Sequence, residues 1–406
     1  MGGVDVRALP ATVGHVSRIV TFTNLFPSSI MPTHGLFVWE RMRRVAAAGG
    51  FAWHVCSPVP NVWWPLRSRA YRQWARVPPT EPWHNVQVEH PRYRHWPGLS
   101  LRAQAQAMAN GARAVVTALA RVGPIVLDAH YLWPDGVAAG LLARELKVPF
   151  TLTARGSDLN VLADDAVVAA AIAETAHRAH ACCAVSGALA DRFATVAKLP
   201  RAAIHEVRNG VDLERFAPGD AVAARAALGL PAQGRIVLGV GRLVPGKGFA
   251  TAAAAVAALA ADVLLVLVGD GPERAAIAAA LPRTIFLGAL PPDRVALAHR
   301  AADVMVLPSE REGWPNVVTE ALASGTPVIA ARVGGIPQIL GDPVPAWRGA
   351  LVAPRDVAAW TRALRAQLAA PPERARVRAF ASQYGWDEPV AALVQIFRTA
   401  LPGAVA

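Results

Sequence analysis

The sequence predicts an α/β protein of two doubly wound domains, each built on a parallel sheet. Three observations carry that prediction. Short apolar runs alternate along the chain with longer Ala-, Leu- and Arg-rich stretches of high helix propensity. The runs fall into two series with turn signals between them. The chain has 406 residues, enough for two domains of about 200 residues each.

The first series of expected strands is Arg18–Thr23, Phe51–Ser57, Val86–His90, Pro124–Ala129, Pro149–Thr153, Cys182–Ser186 and Ile204–Arg208. The second is Arg235–Val240, Val263–Val268, Thr284–Leu287, Val304–Leu307, Pro327–Ala330 and Ala350–Val352. Strands alternating with helical stretches in this way mean α/β with parallel sheets. The break lies at Asn209-Gly210-Val211-Asp212, with Pro218-Gly219 following. This gives an N-terminal domain over residues 1–210, a second over 211–383, and a last segment over 384–406. The nearly all-Ala run Ala250–Ala261 reads as a plain packing helix. Trp386, Val390, Leu393, Phe397 and Leu401 recur at steps of three or four and mark an amphipathic final helix.

A hydrophobic share of 53% with only 17% charged residues excludes a disordered chain. No apolar run approaches the roughly 18 residues that span a bilayer. Met1–Thr23 carries Asp5, Arg7, His15 and Arg18 and does not read as a secretory leader. Three cysteines make no disulfide framework and suit a reducing cytoplasm. The formal net charge is +12. Such a chain is drawn to polyanions, whether phosphorylated ligands, anionic lipid or nucleic acid.

Two segments carry chemistry. The first, Gly239-Val-Gly-Arg-Leu-Val-Pro-Gly-Lys-Gly248, follows a strand. It fails as a dinucleotide fingerprint because residue 244 is Val, and as a P-loop because residue 248 is Gly where Ser or Thr would hold magnesium. What remains is a Gly-rich turn presenting Arg242 and Lys247, two cations spaced to clamp a diphosphate. An ordinary solvated loop is the plainer reading. The second runs from Pro308 through Glu312, Gly313, Trp314, Pro315, Asn316 and Val317 to Glu320. Pro315 suits the first helical position and Gly325 ends the helix. Backbone N–H groups at this helix start form an anion cradle, and Glu312 and Glu320 can reach one ligand. Carboxylates beside a phosphate are better matched to sugar hydroxyls.

The spacing Glu312-x7-Glu320, followed by Ala-Leu-Ala-x-Gly-Thr-Pro-Val and Gly334-Gly335, resembles the retaining family-4 glycosyltransferases of the GT-B fold. Gly241-Arg242-x4-Lys247-Gly248, Val268-Gly-Asp-Gly-Pro272 and Asn209-Gly-Val-Asp212 resemble that family as well. In the first half, Pro32-x-His-Gly-x-Phe-Val38, Pro91-Arg-Tyr93 and Arg155-Gly-Ser-Asp158 look like the branch that builds bacterial cell-surface polysaccharides, including teichuronic-acid-type enzymes.

The resemblance implies two facing Rossmann-like domains with a cleft between them, and a final helix that crosses back to the first. It implies transfer of a sugar from a UDP- or GDP-sugar, with retention, to a glycan or lipid-linked acceptor. Arg242 and Lys247 would neutralise the diphosphate and Glu312 would contact the donor sugar. Glu320 would hold the ribose, and Gly241 and the backbone from Gly313 to Val317 would touch sugar or phosphate. His130, in Asp128-Ala-His-Tyr, would point at the donor sugar, with Gly35, Arg155 and Asp158 on the acceptor side. The early turn at Gly35 has one glycine where many relatives have two, Arg155 stands where many carry His, and Gln338 stands where many carry Glu. The sequence contains no Asp-x-Asp, so no metal and no cofactor are expected.

Trp63–Pro97 interleaves Arg67, Arg69, Arg72, Arg76, Arg92 and Arg94 with Trp63, Trp64, Trp74, Trp83 and Trp96. It reads as a surface docking on anionic lipid at the inner face of the plasma membrane, or as a loop capping the domain with packed tryptophans. His177-x2-His180-x-Cys182-Cys183 mimics a metal cluster, but its ligands would diverge across a helix end and a strand. The competing functions are a sugar-nucleotide epimerase of the same fold, a non-catalytic sugar-nucleotide binder, and a nucleic-acid binder on charge alone. The last leaves the paired Glu motif unexplained.

Overall fold

A computed structural model describes residues 17–62, 69–95 and 103–401. The chain divides into two units: one runs to Arg208 and resumes at Asp387, and the other is Asn209–Trp386.

The first unit carries strands β1 (Arg18–Phe22), β2 (Ala52–Cys56), β3 (Val59–Val62), β4 (Thr80–Trp83), β5 (Val86–Glu89), β6 (Arg92–His95), β7 (Ile125–His130), β8 (Phe150–Ala154), β9 (Ala181–Ala184) and β10 (Ile204–Glu206). Eight of them form one sheet in the order β10-β9-β8-β7-β1-β2-β5-β4, parallel except for the β4–β5 pair. β3 and β6 pair separately, in parallel. These two and β4 are additions to the expected strands. β3 contains Pro60 and Asn61, β4 contains Pro82, and β6 reads Arg-Tyr-Arg-His. None has the apolar pattern that marks a strand, and each is held by its pairing partner.

Strand order reverses about β1, whose neighbours are β2 and β7. Ligands in open α/β sheets bind outside the carboxyl ends of the strands at such a point. Gly35 caps the helix Leu36–Gly49 in the left-handed region, φ 64°. A Cβ there would lie 2.1 Å from Leu25 O, so this turn needs the bare backbone. The helix Asp387–Ala400 buries Val390, Leu393, Val394 and Phe397. Its Phe397 ring meets Phe51 edge-on at 6.2 Å.

The second unit carries β11 (Arg235–Val240), β12 (Val263–Val268), β13 (Ile285–Gly288), β14 (Val304–Leu307), β15 (Val328–Ala331) and β16 (Gly349–Val352). All pair in parallel, in the order β13-β12-β11-β14-β15-β16. This is the 3-2-1-4-5-6 Rossmann order, whose switch point lies between the first and fourth strands, here β11 and β14. The Ala-rich stretch forms the helix Phe249–Ala257. Its Phe249, Ala252, Ala253, Ala255 and Val256 pack in one core with Leu265, Leu267 and Trp360. Small side chains let it lie close to the sheet. At the edge of this unit Val211 N donates to Tyr384 O at 2.8 Å, and a Cβ on Gly210 would lie 2.6 Å from Trp386. The chain leaves the unit beside the point where it entered.

Candidate functional site

In the second unit, four loops meet at the carboxyl ends of β11, β12, β14 and β15. They are locked backbone to backbone, and glycines make the approach possible. After β12, Gly269 (φ 130°) lies so near that a Cβ would be 1.9 Å from Gly241 O. Leu243 N donates to Asp270 O and Glu273 N donates to Leu243 O, both at 3.0 Å. This is the structural use of the Val268–Pro272 segment: it braces the loop after β11. That loop runs through a short 3-10 turn, Pro245–Lys247, to Gly248 (φ 67°). A Cβ on Gly248 would lie 2.3 Å from Pro308 O, and Glu310 N donates to Gly246 O at 3.0 Å. After β15, a Cβ on Gly334 (φ 53°) would lie 1.9 Å from Glu312 O. Gly335 N donates to Gly313 O at 3.0 Å.

The consequence is one defined polar contact. Lys247 Nζ donates to Glu312 Oε1 at 2.6 Å, with side chains 27% and 11% exposed. The two lie 65 residues apart in sequence, on loops at either side of the β11/β14 switch point. Arg242 lies on the same loop as Lys247 and is exposed. An ammonium already neutralised by a carboxylate can exchange that partner for an incoming phosphate oxygen.

The helix Asn316–Ala323 begins one residue after Pro315, which precedes its first turn rather than opening it. Thr326 N donates to Ala321 O at 2.9 Å and Gly325 takes φ 76°, closing the helix. Its first N–H groups have no acceptor within the helix, and Val317 opens that turn half-buried. Asn316 Oδ1 accepts from Asn209 Nδ2 at 3.0 Å, which ties the Asn-Gly-Val-Asp segment to the helix start. Trp314 is buried and meets Tyr384 edge-on at 5.9 Å. Its indole therefore packs into the unit, leaving its backbone as the part that faces the loop. Glu320 is half-buried one turn into the helix, and Gln338 is exposed on Ile336–Leu340.

In the first unit a buried polar chain gathers at the carboxyl ends of β1, β7 and β8. His130 Nε2 lies 2.7 Å from Asp128 Oδ2, and Asp128 Oδ1 accepts from Thr151 Oγ1 at 2.9 Å. The Arg155 guanidinium donates to His130 Nδ1. A ring that accepts at Nδ1 must carry its proton on Nε2, so His130 is the neutral Nε2–H tautomer. Burial holds this imidazole down to about 4, with Asp128 opposing and Arg155 reinforcing. His130 is 1% exposed. Both of its ring nitrogens are engaged, and Arg155 is the half-exposed member of the chain. Asp158 is fully buried, and its carboxylate accepts from the N–H groups of Leu132, Arg155, Gly156 and Leu159. It shapes the Arg155 loop.

Asp135 lies in this cluster and had no sequence signal. Asn24 N donates to its Oδ1, and burial pushes its carboxyl up to about 7. It sits in Leu132–Gly136, a π-turn entered through Tyr131 at φ 84°. Such turns and backbone outliers concentrate at functional sites.

The His/Cys segment does not converge. His177 and His180 are exposed, His180 Nε2 pairs with Thr399 Oγ1 at 3.0 Å, and Cys182 and Cys183 are buried in β9. Among the described residues no group of three or more His, Cys, Asp or Glu could hold a metal ion. Of the basic Trp-rich stretch, residues 63–68, 96 and 97 lie outside the described residues. Within the remainder, Arg92 donates to Trp74 O at 2.9 Å and Trp74 meets His34 edge-on at 5.1 Å. Among the described residues no helix is long and apolar enough to cross a membrane.

Comparison with known proteins agrees with this architecture. Residues 221–384 match the family described as glycosyl transferases group 1, and residues 70–215 match glycosyltransferase family 4. TuaC of Bacillus subtilis, a glycosyltransferase named for teichuronic acid biosynthesis, is 31% identical over 329 residues. That alignment covers 80% of this chain and 83% of TuaC. Among solved structures, the sucrose-phosphate synthase of Thermosynechococcus elongatus superposes with a TM-score of 0.73 at 22% identity, covering 95% of this chain and 98% of that one. The Anabaena protein HepE, solved in complex with UDP-glucose, superposes at 0.70 with 18% identity, covering 95% of this chain and 100% of that one. At these identities the structures speak to the fold, which is GT-B.

Proposed function

This chain belongs to the group 1, family 4 glycosyltransferases, enzymes that use a nucleotide-sugar donor, and from that premise we propose that it moves a sugar from a UDP- or GDP-sugar to a lipid-linked glycan in surface polysaccharide synthesis. Likeness to TuaC supports the polysaccharide reading, and HepE, a structural neighbour, binds UDP-glucose.

One observation carries the mechanism: the 2.6 Å contact of Lys247 with Glu312 at the switch point of a Rossmann sheet. In the proposed reaction the donor diphosphate takes Lys247 and Arg242. Gly241 lets the backbone approach, and N–H groups from Gly313 to Val317 complete the cradle. Glu320 accepts from the ribose hydroxyls. Freed from Lys247, Glu312 accepts from a hydroxyl of the donor sugar beside the reacting carbon. As the anomeric C–O bond breaks, its electron pair goes to the β-phosphate, and the cations stabilise the charge that appears there. The acceptor hydroxyl adds on the same face and gives its proton to the departing phosphate oxygen, which preserves configuration. Among the described residues no side chain is an obvious nucleophile, so the front-face route is preferred to a glycosyl-enzyme.

From the first unit, Arg155 and the Gly35 turn are proposed as acceptor-side surface, with Asp158 shaping the loop. His130 reaches a ligand only by giving up Arg155, so its proposed part is to orient that guanidinium. The basic Trp63–Pro97 stretch is proposed to dock on anionic lipid. Flotation with phosphatidylglycerol vesicles should recover the protein, and an Arg72→Glu, Arg76→Glu variant should float less; equal recovery would remove the claim.

The function is tested with a panel of UDP- and GDP-sugars. One should raise Tm and be turned over with an isolated lipid-linked glycan fraction. Activity should survive EDTA, since side-chain cations do the work of a metal. Donor consumption that needs no acceptor would favour an epimerase or hydrolase.

A further inference from the structure

His299 lies in the last turn of the helix Pro292–Ala301 and is 0% exposed. Neither of its ring nitrogens has a hydrogen-bond partner. A neutral imidazole always carries one N–H, and a buried donor left unsatisfied costs about 1–3 kcal/mol. Packing does not ask for a histidine here: the ring meets Phe216 edge-on at 6.1 Å, a contact an apolar ring would also make. Burial holds the imidazole neutral, with its pKa near 3, so the position is not that of an ion pair. The acceptor beside it is Glu320, whose Oε2 stands 3.9 Å from Nε2. That is about 1 Å beyond a hydrogen bond. The His299 backbone is fixed, its carbonyl accepting from Thr326 Oγ1 at 2.6 Å.

We propose that His299 is a positioning residue for Glu320: when nucleoside diphosphate binds, the Nε2–H of His299 closes on Oε2 from beneath and fixes the carboxylate for the ribose diol. The inference rests on the reading of Glu320 as the ribose-binding carboxylate and deepens it. A carboxylate on a three-bond side chain pays rotamer entropy to meet two vicinal hydroxyls. One held by a buried donor pays less and gains a charge-assisted bond. His299 thereby becomes a determinant of the preference for ribose over deoxyribose, without touching the ligand.

The test is calorimetric binding of UDP and GDP, each with its 2′-deoxy and 3′-deoxy analogues. The proteins are the wild type, His299→Asn, His299→Gln and Glu320→Gln. The Gln amide nitrogen falls near the Nε2 position and the Asn nitrogen near Nδ1. His299→Asn should weaken ribonucleotide binding by about tenfold while leaving deoxynucleotide binding near wild type, and His299→Gln should recover most of the loss. A merely structural role would weaken both nucleotide classes together; an unchanged ribose-to-deoxyribose ratio in His299→Asn overturns the proposal. A wild type indifferent to the deoxy change, or Glu320→Gln with full discrimination, instead sinks the reading of Glu320. Should the variants not fold, 15N spectra of histidine-labelled wild type decide: the His299 Nε2–H resonance should move on adding the nucleotide, and a static one overturns the claim.

Discussion

Gly334→Ala should disable the enzyme although the residue touches no ligand in the proposed site. Gly334 sits at φ 53°, and an added Cβ would lie 1.9 Å from the carbonyl oxygen of Glu312, where ordinary contact begins at 3.4 Å. About 1.5 Å of separation must therefore be found between two backbones, and no side chain can rotate to supply it. The left-handed backbone adds roughly 1 kcal/mol for a residue with a Cβ. The movement falls on Glu312, whose Oε1 is held 2.6 Å from Lys247, and on Gly313, which accepts from Gly335 N at 3.0 Å. Misplacing a reacting group by about 1 Å costs on the order of a hundredfold in rate. Donor turnover should accordingly fall about a hundredfold in kcat/KM, with Tm lowered by several degrees. Gly246→Ala is the control, because its Cβ would meet nothing within 4 Å and its φ is not in the left-handed region. If Gly334→Ala retained turnover within threefold of wild type, the claim that this backbone contact seats Glu312 would be refuted.

Lys247→Ala should lower kcat/KM by about a hundred- to a thousandfold, the scale of losing one donor to developing charge. It leaves Glu312 half-buried and unneutralised, so adding Glu312→Gln should return stability but not activity; recovery of turnover would remove Lys247 from the diphosphate site. Stability should also depend on pH. His54 and His130 are held to about 4 and His299 to about 3, in each case chiefly by burial. Unfolded imidazoles protonate near 6.5, so between about pH 6.5 and 4 the unfolded chain takes up protons the folded chain refuses, and acidification destabilises the fold. Asp135, pushed up to about 7 by burial, works in the opposite sense and offsets about one of the three. The lowered histidines outnumber it, so stability should fall as the pH drops from about 6.5 towards 4. Urea melts at pH 6.5 and 5.5 test it, and equal midpoints would contradict the burial of these groups.

The strand cores were legible because their signal is local. Val263–Val268 and Val304–Leu307 appear in the structure with the bounds the sequence suggests. Where the signal is not local it failed: Pro60, Pro82 and the charged run Arg92–His95 conceal strands that exist because a neighbour pairs with them. In the candidate site, the spacing of Arg242, Lys247, Glu312 and Glu320 was visible, but the contact of Lys247 with Glu312 was not. Trp314 read as a backbone contact in the Gly313–Val317 cradle, and only the fold shows that its indole is packed against Tyr384. His130 read as a group facing the ligand, and its ring is spent on Asp128 and Arg155.

The sequence by itself determined the alternation of strand and helix, the two series of strands and the loops that bear the chemistry, since periodicity, turn residues and motif spacing act over a few neighbours. Only the tertiary structure decided which of those side chains meet, which are neutral and which are sealed from water. His299 carries no mark in the sequence, and it became a candidate only because the fold buries it 3.9 Å from Glu320. Burial and partnership are properties of residues brought together by sheet order, and in one dimension they leave no trace.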